Sequence, residues 1–389
     1  MTLLTNLVAL SAGIWRAILF LPEGELPFNF MLVQEQDRIR IELINGEEKI
    51  IADEINIVHD SIFIRLPVFD SEIRAKINEN ELEGEWINYS RKSNQRIRFS
   101  AKSGISDRFF HTGNSLPTAI EGRWEAWFSP GTDDSSLAIG VFHQQGKKAT
   151  GTFLTASGDY RFLEGKAEND SLYLSCFDGS HAFLFKAKVN GSKMQGVFLS
   201  GNHWKEPWIA ERNESIELPD PDSLTFLKPG FDRFDFAFPD MDSNIIKLSD
   251  HEFRDKVKVI QIFGSWCPNC LDESKFLADF YGKHSKKGIE IFGIAFEKTD
   301  DFQKAVYNVK RLKERVGINY KLLIAGNRER INELLPMVGK IIAYPTTIYI
   351  DRKDRVRKIY TGFYGPATGK YYEKYKDDFE RFIFSLLTE

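Results

Sequence analysis

Cys267 and Cys270, separated by two residues in Trp266-Cys267-Pro268-Asn269-Cys270, are the side chains in this sequence best suited to chemistry. Two cysteines at this spacing can close a small disulfide and reopen it if the first sits at the N-terminus of a helix. Unpaired backbone N–H groups and the helix dipole there stabilise a thiolate, the species that attacks. On that geometry Cys267, at the helix entrance, is the expected nucleophile, and Cys270, a turn inward, the resolving thiol. Tyr344-Pro345-Thr346 lies far downstream and has to be read together with them.

The flanking residues supply the elements that would position the pair. Val257-Lys-Val-Ile-Gln-Ile-Phe263 reads as a buried strand, Gly264 and Ser265 as a turn, and residues 269 to about 286 as a helix. Phe276, Leu277, Phe280 and Tyr281 recur on that helix at the spacing of a core-facing stripe. A second apolar strand, Ile289-Glu-Ile-Phe-Gly-Ile-Ala-Phe296, follows. Strand, helix, strand predicts a parallel sheet, with the cysteines where the first strand delivers the chain into its helix. Chemistry gathers at that end of an open α/β sheet.

These residues resemble the thioredoxin superfamily, and more closely its TlpA/ResA-like branch of envelope thiol-disulfide oxidoreductases. The resemblance runs from about Phe231 to the C-terminus. It rests on the Trp-Cys-x-x-Cys junction, Glu273, the Tyr-Pro-Thr-Thr segment, and Ile348-Tyr-Ile-Asp351 with Val356-Arg-Lys-Ile-Tyr360 as a closing hairpin. Gly362 then precedes a final helix near 371–387. Pro239 to Asn244 resembles the hairpin that opens such domains, and residues 299–338 resemble their additional βα unit. The resemblance implies a cis Pro345 against the cysteines, with Tyr344, Thr346, Trp266 and Pro268 as supporting residues. It also assigns Glu273, one helical turn beyond Cys270, to proton exchange with the resolving thiol; burial would raise its pKa for that role. Asp272 and Lys275 read as surface residues.

Other chemistries need residues that are not here. Structural zinc requires four ligands, and neither a second Cys-x-x-Cys nor a His-x3-His is present. Leu271 stands where covalent haem attachment needs His. No Pro-x3-Thr-x2-Cys arrangement marks a peroxidase. No metal or other cofactor is expected. Cys176, within Leu172-Tyr-Leu-Ser-Cys-Phe177, reads as a small buried hydrophobe.

At 389 residues with 42% apolar content, the chain is long enough for two or three domains. A net charge of −4 and the lack of an extended basic run argue against nucleic acid as a partner. Lys310 to Arg315 read as one exposed helix face.

Residues 13–212 read as a duplicated β-rich domain, with units at about 13–110 and 122–210. Gly13-Ile-Trp-Arg-Ala17 is echoed by Gly122-Arg-Trp-Glu-Ala126, and Asp60-Ser-Ile-Phe-Ile64 by Asp170-Ser-Leu-Tyr-Leu174. Phe69-Asp70 is echoed by Phe177-Asp178, and Leu82-Glu-Gly-Glu-Trp86 by Met194-Gln-Gly-Val-Phe198. The order of these pairs is the same in both halves, as in an internal repeat. Alternating runs such as Arg38-Ile-Arg-Ile-Glu-Leu43 and turns such as Asn45-Gly46 and Asn190-Gly191 predict an antiparallel sandwich or barrel. The expected fold class is therefore this β structure followed by an α/β thioredoxin-like domain at 231–389, with a Pro-rich connector at 213–230. The histidines His59, His111, His143, His181 and His203 are scattered without metal spacing. Trp15, Trp124, Trp204 and Trp208 fit core packing better than a ligand pocket.

The resemblance implies a thiol-disulfide oxidoreductase acting on cysteine-containing protein substrates in the periplasm or cell envelope. It further implies a reductase direction, a membrane electron donor upstream and a link to cytochrome c maturation. An export signal would be required, but Met1 to Ala12 lacks a basic start and is short for a spanning helix. Membrane association is accordingly expected only through an N-terminal signal or anchor missing from this sequence. The alternative is a ligand-binding or scaffolding β protein with a redox-gated thioredoxin-like appendage.

Overall fold

The computed structural model describes residues 10–35, 38–91, 95–110, 113 and 115–389; residues 1–9 and His111, both singled out above, lie outside them. The chain forms two compact units, Met1–Phe153 with Phe162–Ile216, and Leu154–Arg161 with Glu217–Glu389. Residues 217–230, expected as connector, belong to the second of these. Leu227 bridges Val338, and the Phe226 carbonyl accepts from Gly339 N at 2.7 Å.

The first unit is antiparallel β throughout its described strands. One nine-stranded sheet runs from Glu48–Ala52 through Gly13–Leu21 and Gln95–Ser103 at its centre to Glu54–Val58. In the second, Gly122–Phe128 and Trp204–Arg212 pair with each other in the same way, and Ser136–Gln145 also pairs with Lys148–Thr155, closing it into a ring. Two of the echoed pairs do the same work in both halves. Trp15 Nε1 donates to the Ser11 carbonyl at 2.9 Å and Trp124 Nε1 to the Ile120 carbonyl at 2.8 Å. Gly84 and Gly196 each lie so close to the neighbouring strand that a Cβ would fall on the carbonyl of Arg74 or Lys186.

Phe177 and Leu184 of the second half join the core of the first, with the Phe177 ring 4.4 Å from Phe28 and 5.2 Å from Trp86. Asn45 accepts from Phe177 N and donates to its carbonyl. The two halves thus share one core. Trp15, Trp124 and Trp208 are fully buried, whereas Trp204 is exposed; Cys176 is buried.

In the second unit the order is β1 (Val257–Phe263), α1 (Pro268–His284), β2 (Ile289–Glu297), α2 (Phe302–Val316), β3 (Lys321–Asn327), α3 (Ile331–Leu334), β4 (Thr346–Ile350), β5 (Val356–Thr361) and α4 (Lys370–Leu387). The sheet runs β3-β2-β1-β4-β5, parallel on the β2 side of β1 and antiparallel on the β4 side. Every residue of β1 and β2 is buried, as their apolar runs require when helices cover both faces. Phe276 and Phe280 of α1 meet Phe379 of α4 edge-on at 4.9 and 5.0 Å. No helix among the described residues is long and apolar enough to cross a membrane.

Candidate active site

β1 ends at Phe263, and the chain turns through Gly264 and Ser265 into α1. Glu297, at the end of β2 and buried, holds that turn by accepting from Ser265 N and Oγ, each at 2.8 Å. Cys267 is the N-cap of α1, and its sulfur accepts from Cys270 N at 3.2 Å. Pro268 occupies the first helical turn, where its missing N–H removes nothing. Both cysteines are thiols, with Cys267 7% exposed and Cys270 0%.

The Tyr344–Pro345 peptide bond is cis, and the Cys267 thiol donates to the Tyr344 carbonyl at 3.3 Å. Thr346 caps the same loop through a 2.9 Å bond to the Ala343 carbonyl. Trp266 is half-buried; its Nε1 donates to the Phe296 carbonyl at 3.0 Å, and its ring stands edge-on to Tyr344 at 5.2 Å. Lys298 and Arg328 lie over that ring at 4.4 and 5.0 Å. Cys267, Cys270, Trp266, Pro268, Tyr344, Pro345 and Thr346 therefore surround one point at the C-terminal end of β1.

Glu273 is fully buried on the inner face of α1. Its carboxyl accepts from Thr347 Oγ1 at 2.7 Å, Gln261 Nε2 at 2.9 Å and Tyr375 Oη at 3.1 Å. Burial raises its pKa from 4.5 to about 7, and these three bonds, which favour the carboxylate, only partly offset it. Burial also pushes the Cys270 thiol well above its ordinary value, with the Cys267 sulfur adding to the effect.

Gln261 links the Glu273 carboxyl to the backbone of Cys270. Its Oε1 accepts from Ser274 and from Tyr320 at 3.2 and 3.1 Å, which orients Nε2 toward Glu273 and the Cys270 carbonyl, the latter at 3.4 Å. Gln261, Thr347, Tyr375 and Glu297 were not anticipated. The usable signal was a glutamine inside an otherwise apolar strand, since a buried amide must have partners.

Asp272, expected at the surface, is 4% exposed and paired with the buried Arg161. The partner lies in the segment Leu154–Arg161, far upstream, and helix periodicity has no means of disclosing it. Lys275 is exposed as expected and reaches Asp272 at 3.4 Å.

Residues 230–359 match the model of the AhpC/TSA family. The thiol-disulfide oxidoreductase ResA of Geobacillus thermodenitrificans is 28% identical over 128 residues, which cover 33% of this chain and 66% of that protein. ResA of Bacillus subtilis is 24% identical over 136 residues, covering 35% and 69%. A solved structure of a putative thiol:disulfide interchange protein DsbE from Chlorobium tepidum is 21% identical, covers 42% of this chain and 99% of its own, and superposes with a TM-score of 0.32. The C-terminal part of the chain is a thioredoxin-like domain. Its relatives by sequence are thiol-disulfide oxidoreductases of the ResA kind.

Proposed function

We propose that the protein is a thiol-disulfide oxidoreductase that reduces disulfides of cysteine-containing proteins in the bacterial cell envelope. The observation that carries the reading is the placement of Cys267: a helix N-cap thiol against the carbonyl that precedes cis Pro345. The Cys267 thiolate attacks one sulfur of the substrate disulfide, forming a mixed disulfide and releasing the other substrate sulfur as a thiolate. Cys270 then loses its proton and attacks the Cys267 sulfur. The second substrate sulfur leaves, and the enzyme holds the Cys267–Cys270 disulfide. Two electrons pass to the substrate, and its two thiolates take up two protons.

Glu273 serves as the local proton acceptor for Cys270, and Gln261 holds its carboxyl in place. Its pKa of about 7 suits it to take up and return a proton near neutral pH. A thiol or dithiol donor on the membrane would restore the reduced pair. The names of the ResA relatives support this activity. The envelope location, the reductase direction and a role in cytochrome c maturation are parts of the same proposal.

The test is trapping with Cys270→Ser in the full chain, which should accumulate mixed disulfides on Cys267 that mass spectrometry identifies. If the reduced Cys267 captures no disulfide-bearing protein from envelope extracts, the substrate class is wrong. A redox titration fixes the direction: a midpoint more oxidising than the glutathione couple would reverse the assignment.

A further inference from the structure

The segment Leu154–Arg161 belongs to the second unit, although the family match begins only at residue 230. It is a tight hairpin in which Thr155 pairs with Gly158 and Leu154 with Asp159. Thr155 Oγ1 closes the turn by donating to the Gly158 carbonyl at 3.0 Å.

Several contacts of this hairpin fall on residues that adjoin the thiol site. The Asp159 carbonyl accepts from Nδ2 of Asn269, inside the Cys-x-x-Cys segment, at 3.3 Å. The Asp159 carboxylate accepts from Gly365 N at 2.7 Å. Arg161 pairs with Asp272 in the first turns of α1, both side chains buried. At Gly158 a Cβ would fall 2.1 Å from Asn269 Nδ2, and at Gly362 one would fall 2.8 Å from the Ser157 carbonyl carbon. Both glycines have positive φ, so only glycine permits the approach without strain. Gly362 N in turn donates to the Pro345 carbonyl at 2.9 Å.

Strand order gives these contacts a side. β4 and β5 lie on one side of β1, and the hairpin touches the loops that adjoin them, at Gly362 to Gly365. β2 and β3 lie on the other side, and the residues just beyond them, Lys298 and Arg328, cover the Trp266 ring. Cys267 lies between, only 7% exposed.

We propose that Leu154–Arg161 is a specificity wall: it narrows the approach to Cys267 on the β4 and β5 side, so that disulfides in flexible, extended chain segments reach the thiol and disulfides framed in folded proteins do not. The inference rests on the oxidoreductase reading and names its substrate class. An extended segment presents a disulfide on a narrow ribbon. A folded protein brings its neighbouring surface with it, and that surface meets the hairpin.

The test uses the reduced full-length protein and three oxidants: 5,5′-dithiobis(2-nitrobenzoate), a flexible peptide of a dozen or so residues bearing one disulfide, and a compactly folded disulfide protein. Arg161→Gln with Asp272→Asn removes both charges and loosens the hairpin, whose contacts at Gly365 and Asn269 remain. Its rate with the folded protein should rise about tenfold or more relative to the peptide, while the small disulfide changes within about twofold, as expected if access and not thiol chemistry is altered. Ser157→Trp adds bulk at the exposed tip and leaves the Arg161–Asp272 and Asp159–Gly365 contacts unchanged, at the cost of the Ser157 hydroxyl's bond to Thr155; it keeps the test alive if the double variant fails to fold. It should slow the peptide about fivefold or more and again spare the small disulfide. If the small disulfide reacts normally and the folded-to-peptide ratio stays at the parent value in both variants, the wall is overturned while the oxidoreductase reading stands. If the parent protein does not react with the small disulfide, both are overturned.

Discussion

Thr347 Oγ1 donates to the Glu273 carboxyl at 2.7 Å, tying the acid of α1 to the strand that begins next to cis Pro345. The acid is therefore held against the cysteine helix and the proline loop together, and it is buried. A free glutamate titrates near 4.5, whereas this one titrates near 7. The folded state thus favours the protonated form. Its contribution to stability is fully present below about pH 4.5 and is lost as pH rises through about 7, an effect of about 3 kcal/mol. Urea midpoints of the reduced protein should fall between pH 5 and pH 8, and Glu273→Gln should remove most of that fall. An equal fall in the variant would assign the pH dependence to other groups.

The same substitution probes the chemistry. With no carboxyl to accept the Cys270 proton, Glu273→Gln should slow resolution of the mixed disulfide, typically by about 10²-fold or more for loss of a general base, and flatten its pH profile near 7. Formation of the mixed disulfide at Cys267 should change much less. Stopped-flow measurement of the two phases separates them, and parallel changes in both would argue for a purely structural acid.

Cys267 and Cys270 should differ sharply toward iodoacetamide. Cys267 retains some exposure, while Cys270 has none and burial raises its pKa. Reduced protein at neutral pH should carry label on Cys267 at least about tenfold faster, as expected for thiolate-controlled alkylation. Peptide mapping over a time course decides it, and equal labelling would contradict the assigned order of attack.

The strand, turn and helix around Cys267 were legible because each is local: an apolar run, two small turn residues, then an apolar stripe at helical spacing. Pairings between distant segments were not. Asp272 looked like any helix-surface aspartate because its partner is 111 residues upstream, on a hairpin in the β-rich half of the sequence. Gln261, Thr347 and Tyr375 come from a strand, a second strand and the last helix, and converge on Glu273 only once the sheet order is known. The repeat was readable for the opposite reason. Its tryptophans and glycines serve contacts within each half, so the residue types recur with the contacts.

Phe177 tests whether the two β halves stabilise each other. Its ring is fully buried among first-half residues, including Phe28 and Trp86. Phe177→Ala should cost about 3–5 kcal/mol by lost burial and a residual cavity. If the halves share one core, calorimetry should show a single transition for the β unit moved down as a whole. Separate transitions, with only one of them moved, would mean that each half folds alone.

The buried Arg161–Asp272 pair should behave as a coupled unit. Asp272→Asn leaves a buried guanidinium without that carboxylate, and removing one partner of a buried pair costs about 3–5 kcal/mol. Arg161→Gln should cost less, because Lys275 already reaches Asp272 from the solvent side at 3.4 Å. With both substitutions no ionised member of the pair remains, so the double variant should be less destabilised than the sum of the two single variants, by about 1–3 kcal/mol. Urea unfolding of the four proteins at neutral pH gives the cycle. Additive losses would show that the two side chains stabilise the hairpin independently, and the pair would then not be what pins the segment beside Cys267.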